Sequence, residues 1–100
     1  MEYKTFYDLE FNPHPLALAP RAYGCEDARQ ARLEFQNGFG VSVIFGRMFY
    51  SNGEDTYEVA CTKDGSVVYP DNTSFVDDVC GYCTKERVTE LMKEIQDLQQ

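Results

Sequence analysis

The residues of this chain best suited to chemistry are its four cysteines, two of them close together in Cys80-Gly81-Tyr82-Cys83, directly ahead of a segment with helical spacing. A thiol near the start of a helix meets unpaired amide donors that lower its pKa, which is the physical basis of thiol redox sites. Zinc is the other use. A structural zinc site needs four ligands arranged tetrahedrally, commonly from two close pairs. Cys80 and Cys83 form one such pair, but Cys25 and Cys61 are far apart in sequence, and Cys61 falls in an alternating pattern that turns it inward. His14 is the available substitute ligand.

The CGYC string superficially resembles the glutaredoxin and thioredoxin motifs. Those folds require an alternation of strands and helices after the motif, whereas here a single helical segment follows and the chain is almost over. Structural thiols are the favoured reading, with zinc binding or thiol redox through CGYC as the alternative. Asp71, Asp77 and Asp78 lie near Asn72 and Thr73 but lack the alternating oxygen ligands and distant glutamate of a calcium loop, so they read as a solvated acidic segment. Gly38-Phe39-Gly40 joins strand to strand and so lacks the context of a phosphate loop. The lone His14 stands between two prolines with no nucleophile-elbow motif anywhere in the chain. The expectation is a protein that is not an enzyme and carries no cofactor.

The elements that would position these residues are legible from periodicity. Ala31, Leu33 and Phe35 alternate with polar residues, Asn37-Gly38 supplies a tight hairpin turn, and Phe39, Val41, Val43 and Phe45 share one face beyond it. Arg47 to Tyr50 is expected to continue that strand past a bend at Gly46. Tyr57, Val59 and Cys61 mark the next strand, Lys63-Asp64-Gly65 a further hairpin, and Val67 to Tyr69 a short strand stopped by Pro70. A loop over 71–83 then leads to a helix over 84–98, with Thr84 as N-cap and Glu86 favourably placed in the first turn.

Val88, Leu91, Met92, Ile95 and Leu98 recur at spacings of three and four, and Glu90, Lys93, Glu94 and Asp97 occupy the other side. Burying each apolar member contributes about 1.5–3 kcal/mol, against about 0–1 kcal/mol for a surface ion pair, so the stripe decides where the helix goes. The prediction is a single α+β domain spanning 1–100: an antiparallel meander of about four strands over 31–70, packed by a C-terminal helix. Residues 1–30 are the least legible. Pro13, Pro15 and Pro20 forbid a continuous helix or central strand there, and Phe6, Tyr7, Leu9 and Phe11 suit an edge strand or an arm laid on the main body.

Composition bounds the partners. Apolar residues make up 43% of the 100-residue chain, enough for one core, and the formal charge is −8. A polyanion is a poor partner for such a surface, which argues against direct binding of nucleic acid or an anionic membrane. No apolar run reaches membrane-spanning length, and no basic stretch followed by an apolar run opens the chain. The expectation is a cytoplasmic protein with reduced thiols.

The stretch NGFGVSVIFGRMFY, then YEVACTKDGSVVY and the tail VDDVCGYCTKERVTELMKEIQDL, resembles small uncharacterised proteins encoded by bacteriophages and prophages, over roughly residues 33–98. The resemblance implies a protein of the host bacterial cytoplasm and carries no catalytic assignment. The expected role is a small acidic binding protein that occludes a basic site on a host or phage protein. Asp77, Asp78, Glu90, Glu94, Phe49 and Tyr50 are the candidate interaction residues. The alternative is a self-associating homodimer built on the second face of the sheet, unless the amino-terminal arm covers it.

Overall fold

In the computed structural model, which describes residues 2–18 and 26–99, the chain forms an α+β domain: an antiparallel meander backed by a C-terminal helix. Strands β2 (Arg29–Glu34), β3 (Phe39–Phe45) and β4 (Tyr57–Lys63) make up its body. In register, Leu33 faces Val41 and Ala31 faces Val43 across one pair; Val41 faces Cys61 and Val43 faces Val59 across the next. The two-residue period therefore lines these apolar residues on one side, as the alternation predicts. Strand β2 starts at Arg29 rather than near Ala31, because the main chain before Ala31 still pairs with Ile44 and Phe45.

The two hairpins use different turns. Lys63-Asp64-Gly65-Ser66 places both central residues at positive φ, 53° and 83°, so the strand twist continues into β5 (Ser66–Val67). At Phe35–Gly38 only Gly38 has positive φ, at 90°, and Gly38 N–H bonds the Phe35 carbonyl at 3.1 Å. In this longer turn, also closed by Phe35 N–H on the Phe39 carbonyl at 2.8 Å, only the Gly38 position needs positive φ, and Asn37 Oδ1 accepts from Phe39 N–H at 3.1 Å.

Helix α1 is the short segment Pro15–Leu18, and helix α2 is Lys85–Gln96. Thr84 caps α2 as expected, its hydroxyl accepting from Arg87 N–H at 3.2 Å. Val88, Leu91, Met92 and Ile95 are fully buried against Val41, Val43, Val59 and Cys61, and Leu98 packs half-buried at the margin. Phe75 joins this core at 1% exposure, although it comes from a loop of polar residues.

Four expectations change. Phe45 ends its strand: Gly46 takes φ 148°, Phe49 N–H bonds the Gly46 carbonyl at 3.1 Å, and Arg47 to Tyr50 turn away rather than extend the sheet. Val68 and Tyr69 likewise fall outside β5, which ends at Val67, although Val68 N–H still bonds the Cys61 carbonyl at 2.9 Å. The expected loop over 71–83 ends in a strand, β6 (Cys80–Cys83), which pairs with β4 next to β5 along the same edge.

The fourth change concerns the arm. It lies against α2 instead of the second sheet face: Phe6 N–H bonds Thr89 Oγ1 at 3.2 Å, Lys4 and Gln96 exchange two bonds at 2.8 Å, and Tyr3 donates to Asp97 at 2.6 Å. The arm makes a 3₁₀ turn at Phe6–Asp8, closed by a capping box between Thr5 and Asp8, and Asn12–Pro13 forms β1 on the edge of β2. Leu16 and Leu18 are exposed.

The second face of the sheet is lined by Gln30, Arg32, Ser42, Ile44, Glu58, Ala60 and Thr62. Ser42, Ala60 and Thr62 are small enough to be screened by longer neighbours, with Gln30 donating to Ser42 Oγ at 3.1 Å. No helix among the described residues is long and apolar enough to cross a membrane.

Candidate interaction surface

Strand β6 exists because β5 covers only the Thr62–Lys63 end of β4, leaving the Tyr57–Val59 edge to be paired by another segment. Cys83 faces Tyr57 and Cys80 faces Val59, with a bulge between the two pairs. The bulge turns both cysteines toward the core and pushes the intervening Gly81 and Tyr82 outward. The CGYC segment is thus extended backbone, and the cap of α2 is Thr84, so neither sulfur occupies the first helical turn.

Burial sets the thiol chemistry. It pushes Cys83 up to about 11, with the nearby Cys80 adding to the shift and Arg87 opposing it. Cys61 is also pushed up to about 11 by burial, and Cys80 is raised by burial against the pull of Arg87. Cys80 Sγ donates to the Ser74 carbonyl at 3.4 Å and Cys83 Sγ to the Cys80 carbonyl at 3.5 Å. At neutral pH these are protonated thiols, the opposite of the low-pKa thiolate that redox exchange uses. Cys61, Cys80 and Cys83 are free, and among the described residues no group of three or more His, Cys, Asp or Glu side chains could hold a metal ion. Cys25, which the zinc reading invokes, lies outside the described residues.

Tyr82 stands on the opposite side of that strand, 61% exposed, at φ 52°. A tyrosine in the left-handed region costs roughly 1–2 kcal/mol, so the surroundings must hold it there. They do so through Tyr50: Tyr82 N–H bonds the Tyr50 carbonyl at 2.8 Å, and the two rings meet edge to face at 6.4 Å. Gly81 makes that approach feasible, since a Cβ there would sit 2.6 Å from Tyr50 Cβ. Tyr50 is itself 54% exposed, and its N–H reaches Glu58 Oε1 at 3.4 Å on the second face of the sheet. The result is a fixed, solvent-facing tyrosine pair beside a carboxylate.

The sequence-derived residues separate on this surface. Tyr50 belongs to the pair. Phe49, its neighbour, is half-buried with its ring 5.0 Å from His14, so it serves the packing of the amino-terminal segment. Asp77 and Asp78 are exposed in the segment leading into β6, and Asp78 Oδ1 accepts from Val79 N–H at 2.8 Å. Glu90 pairs with Arg87 at 3.0 Å. Glu94 accepts from Ser74 N–H at 3.1 Å and Ser74 Oγ at 2.7 Å, which ties the loop carrying Phe75 to α2. Periodicity did not single out Tyr82. The available signal was an aromatic residue following a glycine inside the CxxC. Comparison with protein-family models, curated proteins and solved structures returns no match for this chain.

Proposed function

We propose that this protein is a small acidic binding protein that docks on a basic surface of another protein through the Tyr50–Tyr82 pair, with Glu58, Asp77 and Asp78 supplying charge. The observation that carries the reading is the strained, solvent-facing Tyr82 held against Tyr50. Tyrosine suits an interface because its large ring loses little rotamer entropy and its hydroxyl keeps a polar contact. A formal charge of −8 steers such a surface toward lysine- and arginine-rich sites while repelling nucleic acid. The action would be steric occlusion of that basic site, and the resemblance to phage-encoded proteins favours a partner in a bacterial cytoplasm.

Affinity capture from bacterial lysate tests this when the wild type is run beside Tyr50→Ser/Tyr82→Ser and Asp77→Lys/Asp78→Lys. The reading expects a basic protein that the wild type retains, that high salt releases, and that both variants lose. Retention unchanged by both variants, or no retained protein, removes it.

A homodimer is the second reading, favoured by one observation: the described part of the arm lies on α2 rather than on the second sheet face. Gln30, Arg32 and Glu58 make that face polar, however, and only Ile44 adds a large apolar side chain between them. Sedimentation at micromolar concentration separates the readings, since a salt-independent dimer supports this one and a monomer rejects it.

A further inference from the structure

A second surface, independent of the tyrosine pair, opens where the arm crosses the end of the core. Phe6, Phe11 and Phe45 surround Tyr57, with ring centroids 5.0, 5.7 and 5.5 Å from it, and Phe6 and Phe11 stand 5.8 Å apart. These four rings floor a groove of about 280 Å³. Its rim carries Arg29, Lys85 and Glu54.

Three features give the groove a chemistry. Lys85 Nζ lies 5.6 Å from the centre of the Phe6 ring and is in no ion pair among the described residues. Arg29 spends Nη1 on the Ala28 and Glu26 carbonyls at 3.0 and 3.4 Å, and its other donors have no partner among the described residues. Tyr57 is 9% exposed, and its hydroxyl, which has no hydrogen-bond partner among the described residues, keeps contact with solvent. Burial and the nearby Asp55 both raise the Tyr57 pKa, so the hydroxyl keeps its proton and remains a donor.

In a chain of net charge −8, two cations and a phenol free to donate thus flank one aromatic floor. We propose that this groove binds a small monoanion with a flat apolar body, of the arylalkyl carboxylate class. The ring of such a ligand would lie on Phe6, Phe11 and Phe45, and its carboxylate would accept from Lys85, Arg29 and Tyr57. Glu54 at the rim and Asp55 near the Tyr57 hydroxyl offset the two cations, so the groove tolerates one negative charge and selects against polyphosphates and dicarboxylates. The volume lies just under the usual range of about 300–1,000 Å³ for ligand pockets, so it suits a one-ring ligand rather than a long acyl chain.

The test is a titration of isotope-labelled protein, followed by nuclear magnetic resonance, with hydrocinnamate, its amide hydrocinnamamide, the cation phenethylamine, and inorganic phosphate. Hydrocinnamate is expected to shift the Phe6, Phe11 and Tyr57 resonances saturably, with the amide and the amine binding at least about tenfold more weakly because they lack the charge that Lys85 and Arg29 recognise. Lys85→Gln and Arg29→Gln should each weaken hydrocinnamate about fivefold or more, with unfolding melts confirming that both variants are folded at the titration temperature. Tyr57→Phe keeps the ring packing and should weaken binding while preserving the fold. Equal binding of acid and amide, saturable shifts that map elsewhere, or no saturation at millimolar hydrocinnamate would each overturn the proposal. Phosphate alone giving the same shifts at the same concentration would overturn the requirement for an apolar body, and the proposal with it.

Discussion

The side-chain amide of Asn37 lies 2.9 Å from the carbonyl oxygen of Leu98 and donates to it, joining the β2–β3 turn to the end of helix α2. The same Nδ2 reaches the Ile95 carbonyl at 2.8 Å and the Gln96 carbonyl at 3.3 Å. Helix ends leave carbonyls without partners, and here a residue almost sixty positions earlier in the chain supplies the donor. Asn37→Ala should destabilise the fold by about 1–2 kcal/mol, in the range of other lost caps. Asn37→Asp should cost more, because it removes the donor and puts a negative charge at the negative end of the helix dipole. Urea unfolding of the two variants beside the wild type checks the order.

Phe75 sits at 1% exposure, whereas its neighbour Val76 is 49% exposed. Phe75→Ala should cost about 3–5 kcal/mol through lost burial and the cavity left behind. Val76→Ala should fall within about 0.5 kcal/mol of the wild type, as expected for a surface position. Glu94→Gln gives an intermediate loss, since an amide oxygen still accepts one of the two Ser74 bonds. Equal losses for Phe75→Ala and Val76→Ala in denaturant titrations would contradict this packing.

Tyr82→Gly should raise stability by roughly 0.5–1 kcal/mol, because glycine adopts φ 52° without the strain tyrosine bears. The same change removes half of the proposed docking pair, so capture of a basic partner should fall as the melting temperature rises. Gly81→Ala should act in the opposite sense on stability, forcing Tyr50 away from a Cβ only 2.6 Å distant. Thermal melts paired with the capture assay check both signs.

Cys61 and Cys83 predict the alkaline behaviour. Their folded-state values of about 11 stand above the ordinary thiol value of 9.0, so folding favours the protonated form. That stability is fully present below pH 9.0 and is lost as pH rises toward about 11. The chain should therefore lose unfolding free energy across that window, and a Cys61→Ala/Cys83→Ala variant should lose less over the same interval. At neutral pH, thiol reagents should modify Cys83 far more slowly in the native protein than in denaturant, which a timed mass measurement would show.

Local rules were enough for the three-stranded body and for α2. Alternation over Phe39–Phe45 and Tyr57–Lys63, glycine at the turns, and the three-and-four spacing from Val88 to Leu98 each depend on neighbours a few residues away, and each yields the observed α+β architecture. What sequence could not supply was decided by contacts between distant segments. Strand β6 forms because β4 has an unfilled edge, and its bulge sends Cys80 and Cys83 inward and Tyr82 outward. Phe75 is buried because Glu94 holds its loop on the helix, and Phe49 differs from Tyr50 because His14 comes to meet it. Periodicity reports which face of an element is apolar. Which face another segment covers depends on the free energy of packing two remote pieces of chain together, and only the folded arrangement expresses that choice.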